Sequence, residues 1–557
     1  MTRLTIIFIA LAISYLQLGA QVAPDKYYVQ FSDKDNSPYS LNNPEEYLSQ
    51  RAIDRRNAQG IAIDIRDLPV NPAYIAGVRK TGANILNPTK WLNGVTIETD
   101  NASVISAISL LPYVASVTKA SVKSAGDAGS KEFFRNEAYG ALPSAETGMK
   151  SSQFFDYGAS FNQIDMVRGD ELHEKGFRGE GMVIGVLDSG FDQADNAAVF
   201  DSLWSENRVL GTKDFVDGGP IMFDKHFHGT GVLSIMAGNY PGELIGTAPK
   251  ASYYLLRTED AATEYIIEEY NWVSGAEYAD SVGCDVLNTS LGYSEFDDAS
   301  QNHTYEDMDG NTTPITIGAD IAASKGMILS TSAGNSGTSA WFYITAPADG
   351  DSVLSVGAVN SQGIPWISSG NGPTSDGRIK PDVAAQGEGT YFFASYSGTF
   401  TWGNGTSLSS PIIAGMMACL WQSMPDKTNM ELIEMVKQSA SLADAPDNKI
   451  GYGIPDFMEA NLLSVYEQDD VNFFDGISAY PNPFTTSVNL AFTAGEPGVV
   501  ELSLVDLTGR KLKAQSYTHN SGHNSILLDE LGDIPGGIYF LRLENAKAAV
   551  SAKLIKY

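Results

Sequence analysis

The segment TWGNGTSLSSPIIAGMMACLWQSM, Thr401 to Met424, sets three hydroxyls, Ser407, Ser409 and Ser410, in front of a long apolar run. A serine becomes a nucleophile at neutral pH only with a base to take its proton, an acid to orient that base, and donors for the developing oxyanion. Candidates for each part occur. Asp188 closes VIGVLD, Asn335 closes ILSTSAGN, and two of the 6 histidines, His226 and His228, lie in DKHFHGTGVLSIMAG. Each residue also has a plainer reading: a turn Asp, a turn Asn, a capping His, and small serines opening a buried helix. Local chemistry favours His228 over His226, because Gly-Thr-Gly and an apolar helix follow it, and it leaves the three serines open.

The surrounding pattern supplies the elements that would hold such groups. From about Phe154 to Leu463 short apolar runs, GMVIGVLDSG, CDVLNTSLG, KGMILSTSAGN and SVLSVGAVN, alternate with helical stretches. Such runs read as parallel strands buried on both faces, and in parallel sheets ligands sit beyond the carboxyl ends of the strands. Asp188, Asn288 and Asn335 stand at such ends. After Gly403 and Gly405, a buried helix is expected from about Pro411 to Gln422, with Pro411 in its first turn and Ser407 at its N-terminus, where backbone N–H groups face outward.

Before this core, residues from about Asp25 to Lys119 read as a small α/β domain: KYYVQFSD and WLNGVTIETD alternate like strands, and NASVISAISLLP has helical spacing stopped by Pro112. The following stretch to Gln153, rich in Gly, Ser and Ala, reads as an exposed linker. The last eighty or so residues, including YPNPFTTSVNLAFTA, GVVELSLVDLTGRKL and GGIYFLRLENAKAAVSAKLIKY, show period-two alternation broken by Pro, Gly and Asn, the pattern of an antiparallel sandwich. The N-terminal MTRLTIIFIALAISYLQLGAQ has the basic residue, short apolar run and small residues of a secretory signal, and is too short to span a bilayer.

A chain of 557 residues exceeds one core, and 36 basic against 67 acidic side chains, a formal charge of −31, repels phosphate backbones, so nucleic acid is not an expected partner. The 2 cysteines, Cys284 and Cys419, lie in apolar sequence and read as buried thiols, with a single bridge between them as the alternative.

Taken together, VIGVLDSG, HGTGVLSIMAG, STSAGNSG and GTSLSSP resemble the subtilisin-like serine protease (subtilase) family over roughly 300 residues, in the family's order of Asp, His, Ser. The resemblance implies catalytic Asp188, His228 and Ser407, an oxyanion donor at Asn335, and a substrate-pairing strand at Ser290, Leu291 and Gly292 in DVLNTSLG. SSGNGPTSDGRIKPDVAAQG and GYGIPD look like later family segments. Gly231 stands where a second His is common and Ser409 where Ala is common; neither change removes a group the mechanism needs. The early domain resembles a subtilase propeptide, through LNGVTIETDNASVISAISLLPYVASVTKA, which implies that the chain's own propeptide acts as its inhibitor. The tail, with YPNPF, DLTGRKL, GGIYFLRL and KLIKY, resembles the C-terminal sorting domain of the Bacteroidetes type IX secretion system.

The resulting expectation is an α/β protein: a subtilisin-like, mainly parallel sheet with helices on both faces, preceded by a small α/β propeptide and followed by an all-β sandwich. Its parts are a signal peptide at 1–20, propeptide and linker at 21–150, the peptidase domain at 151–463, a linker at 464–476 and the sorting domain at 477–557. The expected activity is that of a secreted or surface-attached serine endopeptidase, exported through periplasm and outer membrane by the type IX machinery and acting on proteins or peptides. The rival is a catalytically inactive subtilase-fold binding or adhesion protein, and an esterase is disfavoured because Ser407 lies in Gly-Thr-Ser-Leu-Ser rather than in a G-x-S-x-G elbow. No cofactor is required. Structural calcium would need hard oxygen ligands such as the acidic run Asp297, Asp298, Glu306, Asp307, Asp309 with Asn311, whose plainer reading is a solvated loop.

Overall fold

The computed structural model describes residues 25–121, 137–139, 155–219, 222–467, 474–494, 497–506, 510–545 and 549–556. The expected signal peptide and most of the expected linker therefore lie outside the described residues.

The N-terminal unit is a four-stranded antiparallel sheet with three helices: β1 (Asp25–Phe31), α1 (Gln50–Ala58), α2 (Pro72–Lys80), β2 (Asn84–Thr89), β3 (Gly94–Thr99), α3 (Ala102–Ser109) and β4 (Val114–Ser121), in sheet order β2-β3-β1-β4. Each helix has a side-chain cap at its start, from Ser49, Asn71 and Asn101. A two-residue strand, β5 (Ala138–Tyr139), follows it in the chain but belongs to another sheet.

The central unit is a seven-stranded sheet with every pairing parallel. Its strands are β6 (Val183–Asp188), β7 (Val209–Asp214), β8 (Ser252–Arg257), β9 (Val286–Thr289), β10 (Ile328–Ser332), β11 (Leu354–Val359) and β12 (Val383–Gln386), in the order β12-β11-β10-β9-β6-β8-β7. All six residues of β6 are buried, because its alternate side chains enter two different cores. Ile184 and Val186 pack with α4 (His228–Ala237) and α7 (Thr406–Ser423), while Val183 and Leu187 pack with α5 (Ile267–Val282) and α6 (Pro314–Ser324). Each such aliphatic side chain contributes about 1.5–3 kcal/mol. This two-sided burial is why the strands are runs of Val, Ile and Leu. A hairpin of β13 (Glu388–Ala394) and β14 (Thr399–Asn404) leads directly into α7, and β5 pairs antiparallel with β14, Tyr139 opposite Gly403 and Ala138 opposite Asn404.

The C-terminal unit is all-β, with sheets of three and four strands spanning Phe474 to Lys556 around Leu490, Phe492, Leu502, Leu541 and Leu543. Among the described residues, no helix is long and apolar enough to cross a membrane.

The helix α7 corrects one expectation. It starts at Thr406 rather than near Pro411, so Pro411 lies inside the helix and not in its first turn.

The N-terminal unit is bound to α5 by buried charge. The Asp280 carboxylate faces Arg55 at 2.6 Å, Arg56 at 2.9 Å and Lys90 at 3.1 Å. Arg56 also meets Asp67 at 2.8 Å, and Lys325, after α6, meets Asp67 at 2.9 Å. Glu277 accepts the backbone N–H groups of Lys90 and Trp91 at 2.7 and 2.8 Å, and Tyr28 stacks on Tyr270 with ring centres 4.2 Å apart. Removing one member of such a cluster leaves buried charge uncompensated, typically at about 3–5 kcal/mol. Asp280→Asn should accordingly lower the urea midpoint of the unprocessed chain; an unchanged midpoint would show that the cluster does not hold the two units together.

Candidate active site

Asp188 is the last residue of β6 and His228 the first of α4, so the sheet edge delivers one and a helix start the other. They approach because glycines flank both: a Cβ on Gly190 would lie 2.4 Å from the His226 backbone, and one on Gly229 would lie 2.4 Å from the Gly190 carbonyl. His228 Nδ1 lies 2.8 Å from Asp188 Oδ1. The same oxygen accepts the Ser189 N–H at 2.7 Å and the Ser189 hydroxyl at 3.1 Å. His226 is placed in this shell too, its Nδ1 2.8 Å from Ser189 Oγ and its ring 6.3 Å from that of His228. The pattern of the sequence could not reveal that link, because it runs through a neighbour of Asp188.

Ser407 is the second residue of α7 and is fully buried. Asn335 lies just past β10, and its side-chain oxygen accepts both the N–H and the hydroxyl of Thr406 at 2.9 Å. The amide therefore caps the helix that carries Ser407, and its N–H₂ end is turned away from Thr406. Ser290, Leu291 and Gly292 follow β9; the Ser290 hydroxyl donates to the Ser407 carbonyl at 2.8 Å, and the Leu291 carbonyl accepts from Ser332 at 3.1 Å. Ser409 bonds back to the Thr406 carbonyl at 3.0 Å and Ser410 reaches Asn288 at 3.0 Å, so the three serines of GTSLSSP face three different ways.

The site holds a further group. The Glu137 carboxylate accepts a short hydrogen bond from the Ser407 hydroxyl through one oxygen, and its other oxygen lies 3.4 Å from His228 Nε2. Its side chain is completely buried, beside Gly405, where a Cβ would meet it at 2.9 Å. This corrects the reading of the whole stretch from Ser121 to Gln153 as exposed linker: Glu137 is inside the site, with the next two residues paired to β14. Nothing in its polar, Gly- and Ser-rich surroundings marks it, since only tertiary contact distinguishes it from its neighbours.

Burial works against a charged imidazole at His228, but the Asp188 and Glu137 carboxylates outweigh it and hold the ring's pKa up to about 10, against an ordinary 6.5. The folded value exceeds the unfolded one, so this stabilisation is complete below about pH 6.5 and is lost as pH rises towards about 10. The urea midpoint of the unprocessed chain should fall across that window, and fall less in His228→Gln; a pH-independent difference between the two proteins would contradict this assignment.

The carboxylates of the acidic loop are used singly. Asp298 caps Ser300, Asp307 binds the Thr304 N–H, and Asp309 binds Asn311 and Thr312. The three carboxylates that do converge among the described residues are elsewhere, at Glu259, Glu264 and Glu268, all buried. Both cysteines are buried free thiols.

Comparison with known proteins gives each unit a counterpart. Residues 179–453, which contain Asp188, His228, Asn335 and Ser407, match the model of the subtilase family. The chain carries a subtilase-family domain. Residues 26–133 match a peptidase S8 propeptide domain of Bacteroidota, and residues 478–557 match a secretion system C-terminal sorting domain, which marks the chain for export to the medium or the cell surface. Subtilisin DY of Bacillus licheniformis is 28% identical over 282 residues, covering 50% of this chain and 90% of the relative. Subtilisin E of Bacillus subtilis is 29% identical over 282 residues, covering 50% of this chain and 65% of the relative. The crystal structure of MycP1 from Mycobacterium smegmatis matches at 22% identity, covering 58% of this chain and 89% of that one with a TM-score of 0.43. Family and relatives make the protein a subtilisin-like serine endopeptidase.

Proposed function

We propose that Ser407, His228 and Asp188 act as the triad of this peptidase, and the observation that carries the reading is the buried 2.8 Å contact between His228 Nδ1 and Asp188 Oδ1 beside the start of the Ser407 helix. Once Glu137, one of the two carboxylates that hold the imidazole charged, has given way to substrate, Asp188 keeps the Nδ1 proton and Nε2 acts as the base. Ser407 Oγ gives its proton to Nε2 and attacks the scissile carbonyl; His228 then hands that proton to the leaving amine, and water hydrolyses the acyl-enzyme by the same route. The Asn335 side-chain N–H and the Ser407 backbone N–H, in a helix turn whose amides have no intrahelical acceptor, stabilise the oxyanion. Ser290, Leu291 and Gly292 offer backbone to an extended substrate. Every role is filled by a side chain or backbone group, so no cofactor is required.

The chain's own N-terminal segment is proposed as its inhibitor. Glu137 lies against both reacting atoms, so substrate and Glu137 compete for one place. The sorting domain is proposed to engage the type IX machinery that carries the chain across the outer membrane. Structural calcium stays a proposal, for which Glu259, Glu264 and Glu268 are the grouped oxygen ligands; a rise in Tm on adding Ca²⁺ to chelator-treated protein would support it and an unchanged Tm would dismiss it.

Processed wild-type protein should hydrolyse a peptide anilide, Ser407→Ala should lose activity by on the order of 10⁶, and Asn335→Ala should lose about 10²–10³ in kcat. Activity retained in Ser407→Ala, or absent from processed wild type, would favour the binding-protein alternative. In the unprocessed chain, Glu137→Gln should raise activity about ten- to a hundred-fold, the worth of a charge-assisted hydrogen bond of about 1.5–3 kcal/mol. Equal activity of the two unprocessed chains would mean that this carboxylate does not inhibit.

A further inference from the structure

Pro411 is the sixth residue of α7 and has no N–H. The carbonyl it would have served, four residues earlier, is that of Ser407. A buried carbonyl without a donor costs about 1–3 kcal/mol and leaves its peptide free to tilt. Here the gap is filled from outside the helix: Ser290 Oγ donates to the Ser407 carbonyl at 2.8 Å. Asn288 Nδ2 in turn donates to Ser290 Oγ at 3.0 Å, and Ser410 Oγ donates to Asn288 Oδ1 at 3.0 Å. Ser330 Oγ on β10 donates to the Ser410 carbonyl, also at 3.0 Å. All five residues, Asn288, Ser290, Ser330, Ser407 and Ser410, have 0% exposure, so bulk solvent reaches no member of the network.

The direction of these bonds matters. Ser290 spends its one hydrogen on Ser407 and is itself held by an amide N–H, so Asn288 aims Ser290 and Ser290 aims the Ser407 peptide. An ordinary helix would restrain that carbonyl along its own axis; this one is restrained sideways, by the strand end that lies next to the site. Proline at 411 thereby hands control of the peptide bearing Ser407 from the helix to the sheet. Displacements of about 1 Å at a reacting group cost about 10²-fold in rate, so such control has a catalytic consequence.

We propose that Ser290, backed by Asn288 and Ser410, is the positioning residue for Ser407, its hydroxyl standing in for the N–H that Pro411 lacks. The proposal rests on the reading of Ser407 as nucleophile. It assigns to the Ser290 side chain a task separate from the backbone pairing with substrate, which any residue could perform.

The test is a double-mutant cycle on processed protein with a peptide anilide. Ser290→Ala should lower kcat about ten-fold or more with KM within about two-fold, and should slow phosphonate labelling of Ser407 in parallel. Pro411→Ala restores an N–H to the Ser407 carbonyl, so Ser290→Ala/Pro411→Ala should recover most of the lost kcat, a rescue that a general loss of core packing would not give. A change in KM alone, or additive losses in the double variant, would overturn the proposal. If Ser290→Ala does not accumulate as folded protein, Ser290→Cys, of similar size but a weaker donor, carries the same cycle: recovery by Pro411→Ala supports the proposal and additivity overturns it. Wild type and Ser407→Ala are assayed alongside; wild type inactive, or Ser407→Ala active, refutes the nucleophile itself and is thereby distinguished from failure of the positioning claim.

Discussion

The 2.8 Å contact between Asp188 and His228 is the constraint around which the central unit is arranged. It joins a carboxylate at a strand end to an imidazole at a helix start, both inside protein, where an uncompensated charge is expensive. The contact exists because β6 is buried on both faces and ends at a fixed place, and because Gly190 and Gly229 let the α4 backbone come within side-chain-free distance of it. The parallel sheet then brings the other ends, β9 with Ser290 and β10 with Asn335, to the same edge. The chemistry is distributed over more than two hundred residues of sequence but over one edge in space, as expected for parallel sheets.

Helix α7 is the second organising element. Its start is governed from outside: Asn335 caps Thr406, and Ser290 takes the Ser407 carbonyl that Pro411 leaves without a donor. Residues at two strand ends therefore decide where the nucleophile candidate sits. The N-terminal segment meets the central unit in two separate places. It is fixed to α5 through Asp280 and Glu277, and the chain beyond it returns to put Glu137 on Ser407 and His228. The buried charge cluster and the buried Glu137 carboxylate are two attachments of one segment, one outside the site and one inside it.

Much of this was legible in the residues, and what was missed has a common cause. The buried strands, the helix starting at His228, the burial of the cysteines and the β-sandwich follow from local pattern: continuous apolar runs, a glycine-flanked histidine, cysteines in apolar sequence, period-two alternation. The start of α7 was misjudged because the rule that proline belongs in a first turn assumes that the helix must satisfy its own carbonyls, and here Ser290 does so from another strand. Glu137 was missed because a glutamate in a polar stretch carries no signal until the fold gives it partners. Arg55, Arg56 and Lys90 look like surface residues in sequence and are buried because Asp280 meets all three across a unit boundary, with Asp67 of their own unit beside Arg56. The acidic loop invited a shared ion, yet its carboxylates are spent on separate turns.

The central claim is that one hydroxyl of GTSLSSP is the nucleophile. Mapping by mass spectrometry of the residue modified when processed protein reacts with a serine-directed phosphonate tests it most directly. The adduct is predicted on Ser407 alone, in one equivalent; an adduct on Ser409 or Ser410, or no adduct in protein that is folded and processed, would contradict it.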